Sequence, residues 1–180
     1  MKKILVAASA VGMVVGGWKL AHRHQVDDSK AQVTDRLWID HMPKNDRDLL
    51  HVLIAVTRDA HDENIGFLRF GSRWQAQFNG FRFEKKGDDL AVEFPQNSWR
   101  ATWHTKVSRC SVGDFNLCLE ITAPRGTFHY FSRDDWEIGN ADAGEALVTK
   151  LVHEAPAATG SEPAPVLDEP LAPSAAAAAR

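Results

Sequence analysis

The sequence predicts an all-β domain: a single antiparallel meander of about eight strands, closed by one short C-terminal helix. Three observations predict it. Over residues 35–138 the apolar positions recur with period two rather than 3.6. Clusters of Pro, Gly, Asn and Asp separate the runs. The links are of hairpin length, so consecutive strands pair antiparallel.

The elements follow in order. Residues 36–42 and 51–57 are the first two strands, separated by the turn-rich Pro43-Lys44-Asn45-Asp46. His61-Asp62-Glu63-Asn64 leads into a third strand over 65–70. Trp74, Ala76 and Phe78 then alternate with Gln75, Gln77 and Asn79. After Asn79-Gly80 the phase flips to Phe81 and Phe83, as a β-bulge at a glycine would produce. A turn at 85–89 precedes the row Leu90, Val92 and Phe94. Trp99, Ala101, Trp103, Thr105 and Val107 share one face of the next strand, with Arg100, Thr102, His104 and Lys106 on the other. Leu117, Leu119 and Ile121 form a further inward row, and Pro124-Arg125-Gly126 turns the chain into a strand over 127–132. Trp136 and Ile138 close the β domain. Over 140–153 Asn140 is a good N-cap, Asp142 and Glu145 occupy the early turns, and Lys150 and His153 lie near the end. Ala143, Leu147 and Leu151 recur at spacing four, with Val148 beside them, which predicts a helix despite Gly144. Such a meander closes into an up-and-down barrel or packs as a sandwich; hairpin-scale links favour the barrel.

The flanks are different in kind. Lys2 and Lys3 precede an apolar run over 4–21 that carries one charge, Lys19. Residues 1–24 therefore read either as a signal peptide, with Val15-Gly16-Gly17 before the cut, or as an uncleaved membrane anchor. No Cys follows the run, which excludes a bacterial lipoprotein anchor. Residues 25–33 are a polar spacer, 34–153 the barrel with its helix, and 154–180 a Pro/Ala-rich tail expected to be disordered. The two cysteines, Cys110 and Cys118, flank an expected hairpin loop at 111–117. In an exported chain they read as a disulfide. Export to the periplasm or cell envelope, anchored or soluble after cleavage, is the expected address.

Composition excludes several functions. Residues 31–152 carry 15 basic and 18 acidic side chains, so no basic footprint for nucleic acid is present. There is no Gly-x-Ser-x-Gly elbow and no glycine-rich phosphate loop. His51, His104 and His129 follow no metal-ligand spacing, and Asp88-Asp89 and Asp134-Asp135 read as solvated turns. The expectation is a protein that is not an enzyme and that uses no metal or cofactor. Six Trp and nine Phe against one Tyr point to a core of bulky aromatics. Trp74, Phe78, Phe81, Phe83, Phe94, Trp99 and Trp103 are the candidate lining of an apolar pocket, since an eight-stranded barrel is either just filled by side chains or holds one small ligand.

Eight meandering strands followed by a helix resemble the lipocalins and the wider calycin barrels. Trp38 in Asp-Arg-Leu-Trp and Arg133 in Tyr-Phe-Ser-Arg-Asp-Asp-Trp stand where that family has a first-strand Trp and an Arg after the last strand. The resemblance implies that these two pack together and close one barrel end. The sequence departs at Arg36, where the family has Gly. The function implied is binding of a small apolar or amphipathic molecule in the envelope. The alternatives are a non-catalytic interaction module, recognisable by a filled barrel and an exposed apolar patch, and an enzyme such as a hydrolase, recognisable by buried carboxylates or histidines converging in a cleft.

Overall fold

The computed structural model describes residues 32–57 and 63–159. Eight strands form one closed barrel in sequence order: β1 (Arg36–Ile39), β2 (Leu50–Val56), β3 (Ile65–Gly71), β4 (Ala76–Lys86), β5 (Asp89–Phe94), β6 (Trp99–Val112), β7 (Phe115–Ala123) and β8 (Gly126–Ser132). Every neighbouring pair is antiparallel, and β1 closes on β8 through Ile39 and Phe131. Helix α1 (Ala141–Glu154) follows. The predicted all-β meander is a barrel, not a sandwich.

Two apolar cores result. Inside the barrel, alternate residues of every strand converge, among them Trp38, Leu53, Leu68, Phe81, Val92, Trp103, Leu119 and Tyr130. The second core lies under α1, where Leu37 and Ile39 of β1 and Leu50, Val52, Ile54 and Val56 of β2 meet Trp136, Ile138, Val148 and Val152. This explains why β2, Leu-His-Val-Leu-Ile-Ala-Val, is apolar at almost every position: one face fills the barrel and the other is roofed by the helix.

The helix docks on a face one position away from the expected one. Gly144, Val148 and Val152 are buried, Leu147 and Leu151 are half-buried, and Ala143 is exposed. Gly144 is the point of closest approach, since a Cβ there would lie 2.5 Å from Ile54 Cδ1 and 3.1 Å from Ile138 Cδ1. Asn140 caps the helix as expected, its side chain accepting from Ala143 N at 2.7 Å.

No bulge occurs at Gly80. The β3–β4 register runs unbroken from Gly71 opposite Ala76 to Ile65 opposite Arg82. The bulge lies instead in the β6–β7 hairpin, between Arg109 and Val112. That hairpin is longer than the expected loop at 111–117 allowed, because β6 runs to Val112 and β7 starts at Phe115. Cys110 and Cys118 are joined across it as a disulfide, with Cα atoms 5.8 Å apart. The closed ring is short, so the chain-entropy model gives about 2.5 kcal/mol of stabilisation. Urea unfolding of Cys110→Ala/Cys118→Ala is expected to show that loss; a change below ~0.5 kcal/mol contradicts it.

One barrel end, where β1 begins and β8 finishes, is shut. Val33 is buried in the core, and its carbonyl accepts the Trp38 indole N–H at 2.8 Å. Asp35 takes the Thr57 amide at 2.8 Å and the Thr57 hydroxyl at 2.6 Å. The Arg133 guanidinium lies over Trp136, 5.8 Å from the ring centroid, and pairs with Asp135 at 3.2 Å. The link to the C-terminal segment is made by Arg36, which donates to the Arg133 carbonyl and, at 2.9 Å, to Glu137. The residue that departs from the family pattern thus supplies the clasp.

The boundaries also shift. Val33 and Thr34 are buried, and Gln32 accepts from Lys85 Nζ at 2.6 Å, so the end of the spacer belongs to the barrel. Residues 155–159, expected to be disordered, are held against the β1–β2 connection. The apolar run at 4–21 lies outside the described residues, as do residues 160–180.

Candidate functional site

Five of the seven predicted lining aromatics are brought together inside the barrel. Phe81 is central, with ring centroids 5.2 Å from Trp103, 5.5 Å from Phe94 and 6.2 Å from Phe83. Phe94 adds Trp99 at 5.3 Å and Trp103 at 6.1 Å. These are contact distances between tilted and edge-on rings, the arrangement that aromatic quadrupoles favour. The rings therefore pack on one another and leave no ring-sized gap between them. Gly66 completes the packing: a Cβ there would stand 2.3 Å from Phe81 Cζ and 2.6 Å from the Ile54 carbonyl, so Phe81 lies directly across the glycine. Among the described residues the buried Trp103 Nε1 in this core has no hydrogen-bond partner. Towards the other end of the barrel Trp99 and Phe128 are only partly buried.

Trp74 and Phe78 are not in the interior. They are 67% and 53% exposed. Phe78 is on the outer face of β4 because register is unbroken at Gly80: it sits opposite Arg69 and two positions from Gly80, on the parity of Arg82 and Glu84. Phe67 of β3 is its ring neighbour at 6.2 Å. Arg69 is buried beside them, its guanidinium 5.9 Å from the Phe78 centroid and its Nη2 donating to the Ser72 carbonyl at 2.8 Å. Burial depresses Arg69, with the charge of Glu145 on α1 opposing, and burial raises Glu145, with Arg69 opposing. Arg73 lies over Trp74 at 5.0 Å. Each exposed ring therefore has one arginine against it, the buried Arg69 at Phe78 and the exposed Arg73 at Trp74.

Trp74 is held in place by Asp46, a residue of the β1–β2 connection that is 8% exposed. One carboxylate oxygen of Asp46 accepts the Trp74 indole N–H at 3.3 Å, and the other accepts the Ala158 amide at 2.8 Å. The Asp46 carbonyl takes the Arg73 amide at 3.3 Å, and its amide donates to the Pro156 carbonyl at 2.8 Å. The sequence showed Asp46 only as part of a turn, and nothing local signalled this hub. The patch itself was legible: running the parity of Phe81 and Phe83 backwards through Gly80 puts Phe78 on the polar face.

A carboxylate–histidine network holds the same connection. Asp40 contacts His41 Nδ1 at 2.9 Å and His51 Nδ1 at 2.8 Å, and His41 Nε2 reaches Asp48 at 3.2 Å. His51 stacks on Phe70 at 4.2 Å, and its buried Nε2 has no hydrogen-bond partner among the described residues. Burial would raise Asp40, but the hydrogen bonds from His41 and His51 outweigh it and hold the carboxyl below the ordinary range. The hydrogen bond to Asp40 raises His41 against the opposing effect of burial. His41 therefore contributes stability that is fully present below the ordinary His value and is lost as pH rises through its elevated folded value. Asp40 contributes stability that is present above the ordinary carboxylate value and is lost as pH falls through its depressed folded value. The connection should be firmest between about pH 4 and 6.5. Amide exchange over 43–49, corrected for intrinsic rates, is expected to be slowest there; a flat profile contradicts this.

A groove of about 670 Å³ lies along β4–β6. It is lined by Phe83, Ala91, Val92, Ala101 and Thr102 together with Arg82, Glu84, Glu93 and Arg100, the last four already paired with Glu63, Lys86 and one another. His104, expected on the surface, is exposed and paired with Asp89 at 2.7 Å. Among the described residues no group of three His, Cys, Asp or Glu could hold a metal ion. No helix among them is long and apolar enough to cross a membrane.

The architecture is a closed eight-stranded antiparallel barrel with a C-terminal helix, consistent with a calycin-like fold. Comparison with protein-family models, with curated proteins and with solved structures gives no match to this chain.

Proposed function

We propose that the chain is a non-catalytic interaction module of the cell envelope that docks an extended protein segment on the outer face of β3–β4. The observation that carries this reading is the exposed pair Trp74 and Phe78, standing outside a barrel whose own aromatic rings are packed together. Large exposed aromatics rimmed by Arg are typical of contact surfaces, where Trp, Phe and Arg are enriched. The exposed Arg73 over Trp74 puts a positive charge at the surface beside that ring, suited to a partner with acidic residues beside apolar ones. The Cys110–Cys118 bridge supports an oxidising compartment, in keeping with the apolar N-terminal run. The test is cross-linking in the natively extracted full-length protein. Trp74→Ser/Phe78→Ser should abolish adducts formed by the unaltered chain while leaving the melting temperature within a few degrees. Adducts that persist in the variant reject the patch.

A second reading, that the barrel binds a small apolar or amphipathic molecule, is supported by the unpartnered Trp103 Nε1 and the partly open rings Trp99 and Phe128. The lipocalin resemblance favours it through topology. Mass spectrometry of lipids retained by the natively extracted protein decides between the two: a stoichiometric lipid lost in Trp103→Phe would install the second reading.

A further inference from the structure

We infer that His41 is a pH-sensitive clasp on Trp74: as an imidazolium it bridges Asp40 and Asp48 and locks the turn at 44–48, whose Asp46 holds the indole. The consequence for a partner rests on the reading of the Trp74–Phe78 surface as a docking site; the coupling itself belongs to the chain alone.

One side of the clasp is fixed to the barrel. Asp40 directly follows β1, and both its carboxylate oxygens are tied to β2. Oδ1 accepts the His51 amide at 3.1 Å, and Oδ2 faces His51 Nδ1 at 2.8 Å. The Asp40 amide donates to the His51 carbonyl at 3.1 Å. The other side is the turn. Asp48 Oδ2 accepts the Lys44 amide at 2.9 Å, and Asn45 Oδ1 accepts the Arg47 amide at 2.9 Å. The Asn45 carbonyl takes the Asp48 amide at 3.2 Å, so residues 44–48 form a unit hydrogen-bonded within itself. His41 joins the two sides, with Nδ1 2.9 Å from Asp40 and Nε2 3.2 Å from Asp48.

Protonation decides whether both contacts hold. Only the imidazolium carries a proton on each ring nitrogen; the neutral ring donates once and turns a lone pair on the second carboxylate. The charged groups that act on His41 are Asp40 and Asp48, and those that act on Asp40 are His41 and His51. The clasp is therefore closed below the ordinary His value of about 6.5 and opens as pH rises through the elevated value of the folded chain.

The turn passes the change on. Asp46 stands inside it and bonds outward to the Trp74 indole, the Arg73 and Ala158 amides and the Pro156 carbonyl. Freed from His41, the turn no longer holds Asp46 in one place, and Trp74 loses its support. A hydrogen-bonded element with two arrangements is a physical means by which one group biases another, and His is the side chain that switches charge near neutral pH. A partner that needs the held indole then binds more tightly at mildly acidic than at mildly alkaline pH.

Fluorine NMR of the full chain carrying fluorotryptophan tests this from about pH 5 to 9, with the Trp74 signal assigned through Trp74→Phe. That signal is expected to titrate with a midpoint above about 6.5, coincident with the midpoint of the His41 ring protons. His41 belongs to neither apolar core, so His41→Gln should fold and should lose the step. Asp48→Asn should lower both midpoints together. A Trp74 signal that does not titrate, that titrates unchanged in His41→Gln, or whose midpoint parts from that of His41 in Asp48→Asn overturns the inference. The readout needs no partner, which keeps the two levels apart. Titration of Trp74 in a chain that forms no cross-linked adducts upholds the clasp and removes the docking surface. Adducts without titration do the reverse.

Discussion

Phe81→Ala is expected to lower the stability of the barrel by about 3–5 kcal/mol, read as a shift in the urea midpoint at unchanged slope. Phe81 is 2% exposed and is the ring on which Phe83, Phe94 and Trp103 all pack. Truncation loses the transfer energy of the ring and leaves a cavity that the sheet cannot collapse into, because the strands on all sides are fixed by closure of the barrel. The cavity would also expose Gly66, whose missing side chain the ring now covers. For a domain whose whole stability is on the order of 5–15 kcal/mol, the variant is close to unfolding. A loss below ~1.5 kcal/mol would mean that the ring borders open space.

Trp38→Ala is expected to cost about as much, again about 3–5 kcal/mol, and for a different combination of reasons. The indole is fully buried in the barrel core, and its N–H satisfies the Val33 carbonyl at the shut end. Trp38→Phe should keep most of the packing and lose that bond, costing about 1–3 kcal/mol for the buried carbonyl left alone. Arg133→Ala should cost under ~0.5 kcal/mol, since its guanidinium stacks on Trp136 and pairs with the exposed Asp135. The double-mutant cycle between Trp38 and Arg133 therefore closes with a coupling below ~0.5 kcal/mol. A coupling above ~1 kcal/mol would restore the family-like contact between the two.

The meander was legible because period-two patterning survives wherever one face of a strand meets water. β5, β6 and β7 alternate cleanly, and their inward rows Leu90-Val92-Phe94, Trp99-Ala101-Trp103 and Leu117-Leu119-Ile121 are observed as read. β2 is buried on both faces, so its sequence carries no alternation and gives no hint that α1 roofs it. The error at Gly80 has a physical cause: two rows of aromatics, one inside and one outside, look like one inward row with a slipped phase. Hydrophobicity cannot separate them; only the unbroken register does. Arg36 and Asp46 were out of reach because their roles are long-range, Arg36 to Glu137 and Asp46 to Ala158.

That outer row carries the functional proposal, so the decisive measurement is made on it. A photo-crosslinking amino acid at position 78 of the full-length protein, compared with one at position 104 on the outer face of β6, is irradiated in intact cells. The proposal predicts discrete protein adducts from position 78, lost in Trp74→Ser, and none from position 104. Equal yields at the two positions, or none from position 78 while the extracted barrel retains a lipid, would contradict it.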